Sequence, residues 1–464
     1  MQADSRGLRC EPDERALAAE SVFSMQTRLI PTSRLAFMIA LGMLPLALVV
    51  QVPEVSWGVG LFDSALLLLA LVDFRRAPGP GLITIERRTG PRLALGEREA
   101  VLILAQSAVP RDLVVQVRDE PPAGFLSEGR LLTLPVPARG RARGTYWVTP
   151  PARGDYAFGG VTARVAGPLG LVRRQWRVTH AMAVQVYPDF RQAARMELLA
   201  RRSHLLRSGF HSLRRRGEGR TFESLRDYVQ GDDSRHIDWK ATARRRKPIV
   251  REYEVERHQN VLLMLDAGRM MTAAVGGLTK LDCAVNASLL VTHAAVSHGD
   301  KVGLLVFAED VLAYLPPRAG KGQVGRALET LYRIQPSLIE PDYAAAFRYL
   351  ATRRLQRALI LIFTDLVDAR ASSRLLRHVA ALMPHHLPLL VTIADPAVQR
   401  YAQQGPATVG AVFRQAVARD LLEERAEALM GITARGGLAL DVPPEGLNLS
   451  VVNRYLEVKR RGLL

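Results

Sequence analysis

The sequence predicts a multi-domain chain: an N-terminal transmembrane helical hairpin, then a β-sandwich module, then an α/β domain. Three observations predict it. Two nearly charge-free apolar runs lie back to back near the N-terminus. Leu82–Pro188 breaks into short strands punctuated by Gly and Pro, and from Asn260 onward apolar strands alternate with amphipathic helices. The bulk numbers agree. A length of 464 residues allows about three domains. Hydrophobic and charged contents of 48% and 23% are those of a folded chain. The two cysteines, Cys10 and Cys283, are far apart, which excludes a disulfide scaffold and a multi-cysteine zinc site and suits a reducing compartment. The 63 Lys and Arg exceed the 45 Asp and Glu by +18, so an acidic partner is expected, without saying which.

Residues 1–27 are polar and mixed in charge, expected to be disordered or an over-extended start, with Met25 a plausible natural beginning. Residues 28–76 hold the two apolar runs, Leu35–Val52 and Val55–Val72. At about 1.5 Å per residue each covers roughly 27 Å, close to a hydrocarbon core of about 30 Å. A cleaved signal peptide followed by a buried helix is the competing reading, but no small-residue cleavage site separates the runs. Arg28 and Arg34 precede the first run, Arg75 and Arg76 follow the second, and the turn between carries only Glu54. The expected location is therefore the inner membrane with two spans, both termini and the soluble domains being cytoplasmic. Asp63 is costly in lipid and is expected to face the other helix, a partner helix or the interface.

Residues 77–190 form the β module. LITIERR, VLILAQ, LVVQVRD, LLTLPVP, TYWVTP, YAFGGVTARV and MAVQVYP are its candidate strands. Seven or so such strands in this length suggest an immunoglobulin-like sandwich. Asp155 and His180 are isolated, so no catalytic cluster is seen here and binding or spacing is the expected role.

Residues 191–259 contain the run GEGRTFESLRDYVQGDDSRHIDWKATARRRKPIVRE. Phe222, Leu225 and Val229 share one face of an expected helix, Gly231 suits its C-cap, and Asp233 or Ser234 can cap the turn that follows. Glu223, Arg226, Asp227, Asp232, Asp233, Arg235, Asp238 and Trp239 are expected to form a buried ion-pair network that fixes a loop. The rival reading is catalytic: Asp232, Asp233, His236 and Asp238 have the residue types for acid–base or metal chemistry. No Ser or Cys nucleophile with a base accompanies them, so no catalytic residue is assigned.

The order G-E-G-x-x-F-E-S-L-R-D-Y-x-x-G-D-D-x-R-x-I-D-W-K-A-T-A-R resembles the core of the bacterial family called domain of unknown function 58. The resemblance implies the same plan of hairpin, β module, core and von Willebrand factor A-like domain, and a MoxR-type AAA+ ATPase as partner. Upstream, Gly167-Pro168-Leu169-Gly170-Leu171 resembles that family's D-P-[LF]-G-L turn, with Gly167 where an acid is usual.

Residues 260–464 read as a Rossmann-like α/β domain. Val261–Leu265, Lys301–Phe307, Ala358–Phe363 and Leu387–Ile393 are strands; helices are expected over 278–297, 322–334, 342–354 and 371–382. A helix from about Ala407 and a last one over Asn448–Arg461 follow, the latter ending in Lys459, Arg460 and Arg461. Cys283 is expected in the core. Asp266 and Asp365 follow two strands at the edge where such sheets bind ligands. This resembles the von Willebrand A metal site, D-x-S-x-S with a middle-loop Thr and a later Asp, which suits the octahedral oxygen shell of Mg²⁺. Here both serine positions, Gly268 and Met270, lack a hydroxyl, and Pro341 stands where the Thr is expected. Asp266 and Asp365 thus remain the weak metal candidates, and no cofactor is expected. Arg269 is expected to replace the ion by pairing with Asp266 or Asp365. Asp266, Gly268, Arg269, Met270 and Asp365 become the candidate partner-binding loop, with Met270–Met271 as its apolar part.

Between Arg201 and Arg257 sixteen Arg and Lys face nine Asp and Glu, a net +7. Anionic lipid headgroups near the anchor account for this more simply than nucleic acid, for which no motif is present. The sequence therefore points away from an enzyme. It points to a membrane-anchored cytoplasmic scaffold or adaptor that works with the ATPase and other membrane proteins in assembly or maturation. The alternatives are the hydrolase-like centre or an electrostatic nucleic-acid binder.

Overall fold

The computed structural model describes residues 27–44, 55–179, 181–188, 221–229, 237–254, 259–366, 369–405 and 408–463. The chain divides into two units. One holds the residues up to Leu93 with Glu97–Pro150 and Asp155–Gln185; the other holds Ala94–Gly96, Pro151–Gly154 and Val186–Leu464.

Period-two alternation builds the first unit. Val161, Ala163 and Val165 are buried while Thr162 and Arg164 face out, and Val115 and Val117 alternate with Gln116 and Arg118 in the same way. The strands are β1 (Arg28–Pro31), β2 (Ile83–Arg88), β3 (Arg92–Ala94), β4 (Glu99–Ser107), β5 (Leu113–Asp119) and β6 (Leu126–Glu128), then β7 (Leu131–Val136), β8 (Arg141–Thr149), β9 (Gly154–Phe158), β10 (Val161–Ala166), β11 (Val172–Val178) and β12 (Met182–Tyr187). They form a five-stranded sheet in the order β1-β11-β10-β5-β7, a four-stranded sheet β2-β4-β8-β6 and a three-stranded sheet β3-β12-β9. The expected run YAFGGVTARV is two strands, split where Gly159 and Gly160 turn the chain. The strand VRRQWRV is not legible as alternation because its outward positions are polar and Arg174 interrupts the inner face that Val172 and Trp176 mark.

Helices α1 (Ser33–Met43) and α2 (Val55–Arg76) belong to this unit. Among the described residues α2 alone is long and apolar enough to cross a membrane. The first apolar run is described only as the shorter α1, because residues 45–54, with the turn at Pro53 and Glu54, lie outside the described residues. The helices approach closely at Gly42, where a β-carbon would come within 2.6 Å of the Phe62 ring and 3.3 Å of Asp63 Oδ1. Asp63 thus faces the other helix, one of its expected positions.

The foot of α2 is tied to the sheet by one carboxylate. Asp73 is fully buried and accepts hydrogen bonds from the backbone N–H of Leu169 at 2.6 Å, Leu171 at 2.8 Å and Val172 at 3.0 Å. The Arg174 guanidinium donates to the carbonyl of Phe74 at 2.9 Å and lies over its ring. Thr32 N-caps α1, and its hydroxyl shares its hydrogen between the carbonyls of Gly170 and Leu171, at 2.7 and 2.8 Å. This explains Gly167: a β-carbon there would overlap the Asp73 carboxylate. The acid that the resembled turn carries in itself is supplied here from the helix.

Continuous apolar strands build the second unit, because its sheet is covered on both faces. Its strands are β13 (Thr221–Asp227), β14 (Ile249–Glu254), β15 (Asn260–Asp266), β16 (Ala274–Val275), β17 (Leu278–Thr279), β18 (Lys301–Phe307), β19 (Val311–Arg318), β20 (Ala358–Phe363), β21 (Leu387–Ile393) and β22 (Leu438–Val442). Its helices are α3 (Trp239–Arg245), α4 (Lys280–Ser297), α5 (Gly322–Leu331), α6 (Tyr343–Thr352), α7 (Ala369–Leu382), α8 (Pro396–Gln403), α9 (Val409–Thr433) and α10 (Pro444–Arg461). Six strands make one sheet in the order β19-β18-β15-β20-β21-β22, parallel except for β19. On β15, Val261, Leu263 and Leu265 pack into one core with α4, α5 and α10, while Leu262 and Met264 pack into the other with α6, α7 and α9. The strands and helices expected from Asn260 onward are all present. β19, β22 and α8 are additions: β19 is an edge strand that tolerates Pro316 and Pro317 because an edge leaves N–H groups unused. Cys283 is buried as expected, its thiol pushed up to about 12 by burial and by the charges of Asp282 and Glu445. Lys459 bonds Asp300 at 2.6 Å, beside the Tyr455 hydroxyl at 2.6 Å, so the last helix is pinned to the domain.

The helix expected over Phe222–Val229 is absent. Thr221–Asp227 is β13, paired antiparallel with β14. Leu225 and Val229 are exposed, so the helical spacing had no core to face. A register shift between Phe222 and Ser224 absorbs the odd residue.

The Asp73 tie yields a swap test. Asp73→Ala leaves three backbone donors without their acceptor and should cost about 2–4 kcal/mol. Gly167→Asp should also lower the melting temperature of the full chain in detergent, through overlap and like charge. The double variant Asp73→Gly/Gly167→Asp, which returns the acid to the turn, should melt above either single variant.

Candidate functional site

Residues Asn260–Asp266 run through the middle of the sheet, so their carboxyl end lies where the chain order reverses, β18 on one side and β20 on the other. Doubly wound sheets bind ligands at this place. Asp266 ends β15, and Thr364 and Asp365 follow its neighbour β20, with Leu265 opposite Phe363. The structure thus brings Asp266 and Asp365 together at one edge.

Every oxygen of the two carboxylates is engaged. Asp266 is fully buried. Its Oδ1 accepts from Gly268 N at 2.7 Å; its Oδ2 accepts from the Thr364 hydroxyl at 2.7 Å and the Tyr343 hydroxyl at 3.1 Å. Asp365 Oδ2 is ion-paired with Lys280 Nζ, and Oδ1 accepts from Arg425 and from Leu366 N. Arg425 also forks onto Asp441, Nε to Oδ2 at 3.0 Å and Nη2 to Oδ1 at 2.8 Å. The result is a buried chain of charge: Lys280, Asp365, Arg425, Asp441. Burial alone would lower the pKa of Arg425, but Asp441 and Asp365 outweigh it and hold it above the ordinary guanidinium value. Burial raises Asp266; the Thr364, Gly268 and Tyr343 donors oppose this.

The site does not fit the metal its motif resembles. At Gly268, the first serine position, a β-carbon would sit 2.8 Å from Pro341 Cδ, 2.9 Å from the Ile339 carbonyl and 3.0 Å from Asp266 Oδ1. The Ile339 carbonyl accepts from Arg269 N at 2.8 Å, which holds the middle loop down on the first one. Two fixed cations occupy the neighbourhood of the retained aspartates. A dication would have to displace both and strip donors from four oxygens, without hydroxyls to complete its shell.

Arg269 does not take the ion's place. Its side chain is 59% exposed and its nearest acid is Glu340 at 4.0 Å. The cations on Asp365 are Lys280 and Arg425, neither singled out from sequence. Met271 is fully buried core while Met270 is half-buried, so the two are not one apolar surface. Signals for the missed cations exist. Lys280 opens the fully buried run K-L-D-C-A-V-N-A, and Arg425 shares the buried stripe of α9 with Ala418, Ala428 and Ile432. A long cation on a core stripe needs an acid below it.

The expected core network is not a buried one where it is described. Asp227 is exposed and Trp239 is 71% exposed. Asp238 is the N-cap of α3, accepting from the N–H of Lys240 and Ala241 at 3.0 Å each, a role given in the sequence reading to Asp233 or Ser234. Glu223 and Arg226 lie on β13. Asp232, Asp233, Arg235 and His236, and with them Gly231, lie outside the described residues, as does most of the basic stretch from Arg201.

The fold and site define a two-unit chain whose α/β sheet carries an ion-paired edge at the usual ligand position. Residues 224–416 match the model of the family described as Protein of unknown function DUF58. An uncharacterized protein of Mycobacterium tuberculosis and one of Mycobacterium bovis are each 26% identical over 263 residues, covering 53% of this chain and 82% of theirs. Among solved structures, an uncharacterized membrane-spanning protein of Vibrio fischeri aligns over 43% of this chain and 98% of its own, at 15% identity and a TM-score of 0.17. The CARDB domain of a Pyrococcus furiosus protein aligns over 22% and 86%, at 15% identity and a TM-score of 0.15. Scores this low carry no argument.

Two expectations follow. Asp365→Ala leaves Lys280 and Arg425 buried without their shared acid and should cost about 3–5 kcal/mol in denaturant unfolding of the full chain. The second concerns pH. The folded pKa of Asp266 lies above its ordinary 3.8, so between the two values the folded state holds a proton that the unfolded state has released. Stability from this group is present at low pH and lost as pH rises through that window. Asp266→Asn lacks the slope. Its melting temperature relative to the wild type should therefore rise between pH 4 and pH 7, and a constant difference would refute the assignment.

Proposed function

We propose that the chain is a membrane-anchored, protein-binding scaffold whose α/β unit is a von Willebrand A-like domain that works without a metal. One observation carries this: the ligand edge of the sheet is filled by Lys280 and Arg425, while an exposed rim stands just outside it. The rim consists of Arg269, Glu340 and Arg374, with Arg374 3.6 Å from Glu340, and of the exposed Leu338 and Ile339. Exposed Arg flanked by apolar side chains suits recognition of a carboxylate-bearing protein surface. The strand order, numbered within the sheet as 3-2-1-4-5-6, and the aspartates after its first and fourth strands support the von Willebrand A-like reading.

The family resemblance points to a MoxR-type AAA+ ATPase as the partner, with other membrane proteins as clients in assembly or maturation. The anchor is a two-span hairpin in the inner membrane with cytoplasmic ends, supported by the length of α2, the close approach at Gly42 and the flanking arginines. Of the hydrolase-like centre's Asp232, Asp233, His236 and Asp238, Asp238 alone lies among the described residues, where it caps α3.

In capture of the purified ATPase by the full chain in detergent, Arg269→Glu should weaken binding tenfold or more, about 1.4 kcal/mol. EDTA should leave capture unchanged. Loss with EDTA and none with Arg269→Glu would restore a metal-dependent reading. A periplasm-only reporter fused after Leu464 should be silent, and strong activity would overturn the topology.

A further inference from the structure

The outer face of the five-stranded sheet is all but free of acid. Its outward strand positions carry Arg28 on β1, Arg173 and Arg177 on β11, Arg164 on β10 and Arg118 on β5, and no Asp or Glu. Register places them side by side: Arg28 faces Gln175, which faces Arg164, which faces Gln116. One step on, Arg177 and Arg118 flank Thr162. Within a row the arginines stand two strands, about 9.6 Å, apart, while Arg164 and Arg118 are diagonal neighbours on adjacent strands, close enough for long side chains to converge on one phosphate.

No two of these arginines stand directly opposite one another, so their mutual repulsion is diagonal and the sheet tolerates it. Arg177 pairs with Glu120 and Arg164 with the amide of Gln175. Among the described residues Arg118 and Arg130 have no acidic partner. These two and Arg164 surround a cleft of about 290 Å³ whose floor offers Gln116 and Thr162 and whose wall is Leu131. Three cations, two neutral polar groups and one apolar wall match a phosphodiester with an attached glycerol, not a bare inorganic ion.

The position in the unit names the source. β1 runs straight into α1, and Asp73 at the foot of α2 holds the first residues of β11. Counted along the strands from Val172, the row of Arg28 and Arg164 lies about 10 Å away and the row of Arg118 about 17 Å. The nearer row thus lies within about one screening length of 8–10 Å from the helix foot and the farther row within about two, so the anionic surface acts most strongly on the Arg28 and Arg164 end of the face.

We propose that this face is a lipid-recognition surface, the Arg118–Arg130–Arg164 cleft taking the headgroup phosphate of an anionic phospholipid. The proposal rests on the membrane-anchored reading above. It does not use the basic stretch from Arg201.

The test is a titration of the full chain in detergent with phosphatidylglycerol and with phosphatidylcholine, followed by native mass spectrometry. The wild type should bind phosphatidylglycerol at least tenfold more tightly. Arg118→Gln/Arg130→Gln/Arg164→Gln should bring the two within twofold, with melting temperature unchanged. Arg141→Gln/Arg143→Gln, on the other sheet, should keep the preference. Inorganic phosphate at 10 mM should not compete; full displacement by it would make the cleft a site for soluble anions and overturn the proposal. A triple variant that keeps the preference overturns it too. Carbonate washing of membranes separates the two ideas. Release of the wild type sinks the anchor itself, whereas a retained chain without lipid preference sinks only the cleft.

Discussion

Asp365 decides what the α/β unit can be. It is a buried carboxylate at the edge where a sheet of this order holds its ligand, and it is already shared between Lys280 and Arg425. Lys280, Asp365, Arg425 and Asp441 sum to no net charge, and the Asp365 oxygens are already taken, so the chain offers a dication no net attraction. The rest of the site follows. Asp266 has no ion to serve and gathers three donors, from Gly268, Thr364 and Tyr343. The middle loop is free to close, and Pro341 and the Ile339 carbonyl occupy the space that a serine at Gly268 would need. Arg425 reaches on to Asp441 on β22, so the same guanidinium joins the ends of two strands and α9.

Much of this architecture is legible in the sequence, and the failures share a cause. The buried parallel strands are written as unbroken apolar runs such as VLLML and LILIF, which have no other stable home. The β module is written as alternation. VRRQWRV hides its alternation because Arg173, Gln175 and Arg177 face out and Arg174 interrupts the inner face. Phe222, Leu225 and Val229 keep helical spacing, yet the segment pairs with Ile249–Glu254, a partner more than twenty residues on that no local window contains.

The site was half legible for the same reason. Asp266, Gly268 and Asp365 sit at motif spacings and were found in place. Lys280 and Arg425 stand 85 and 60 residues from Asp365 and join it only through the fold. Arg269 looked like the substitute cation because it is adjacent in sequence. A side chain at the start of a short 3-10 turn points outward, however, and the Arg269 N–H is spent on the Ile339 carbonyl. Sequence neighbours compete for one direction of approach, whereas a helix packed across the sheet edge can drive its cation straight down onto the acid.

Gly167 and Asp73 show the same logic in the other unit. Taken alone, a glycine in place of the acid in a D-P-[LF]-G-L-like turn reads as a loss. In the fold the missing carboxylate has moved 94 residues along the chain, to a helix foot, and it caps the turn from outside: Leu169, Leu171 and Val172 all donate to it. The change has a mechanical consequence. A carboxylate within the turn stabilises only the turn, while one supplied by α2 makes the turn's backbone bonds conditional on the helix being seated. Thr32 does the same from α1 through Gly170 and Leu171. The two helices and the start of β11 therefore form one hydrogen-bonded joint, so a load applied to the arginine-bearing sheet reaches the helices through hydrogen bonds instead of a free hinge.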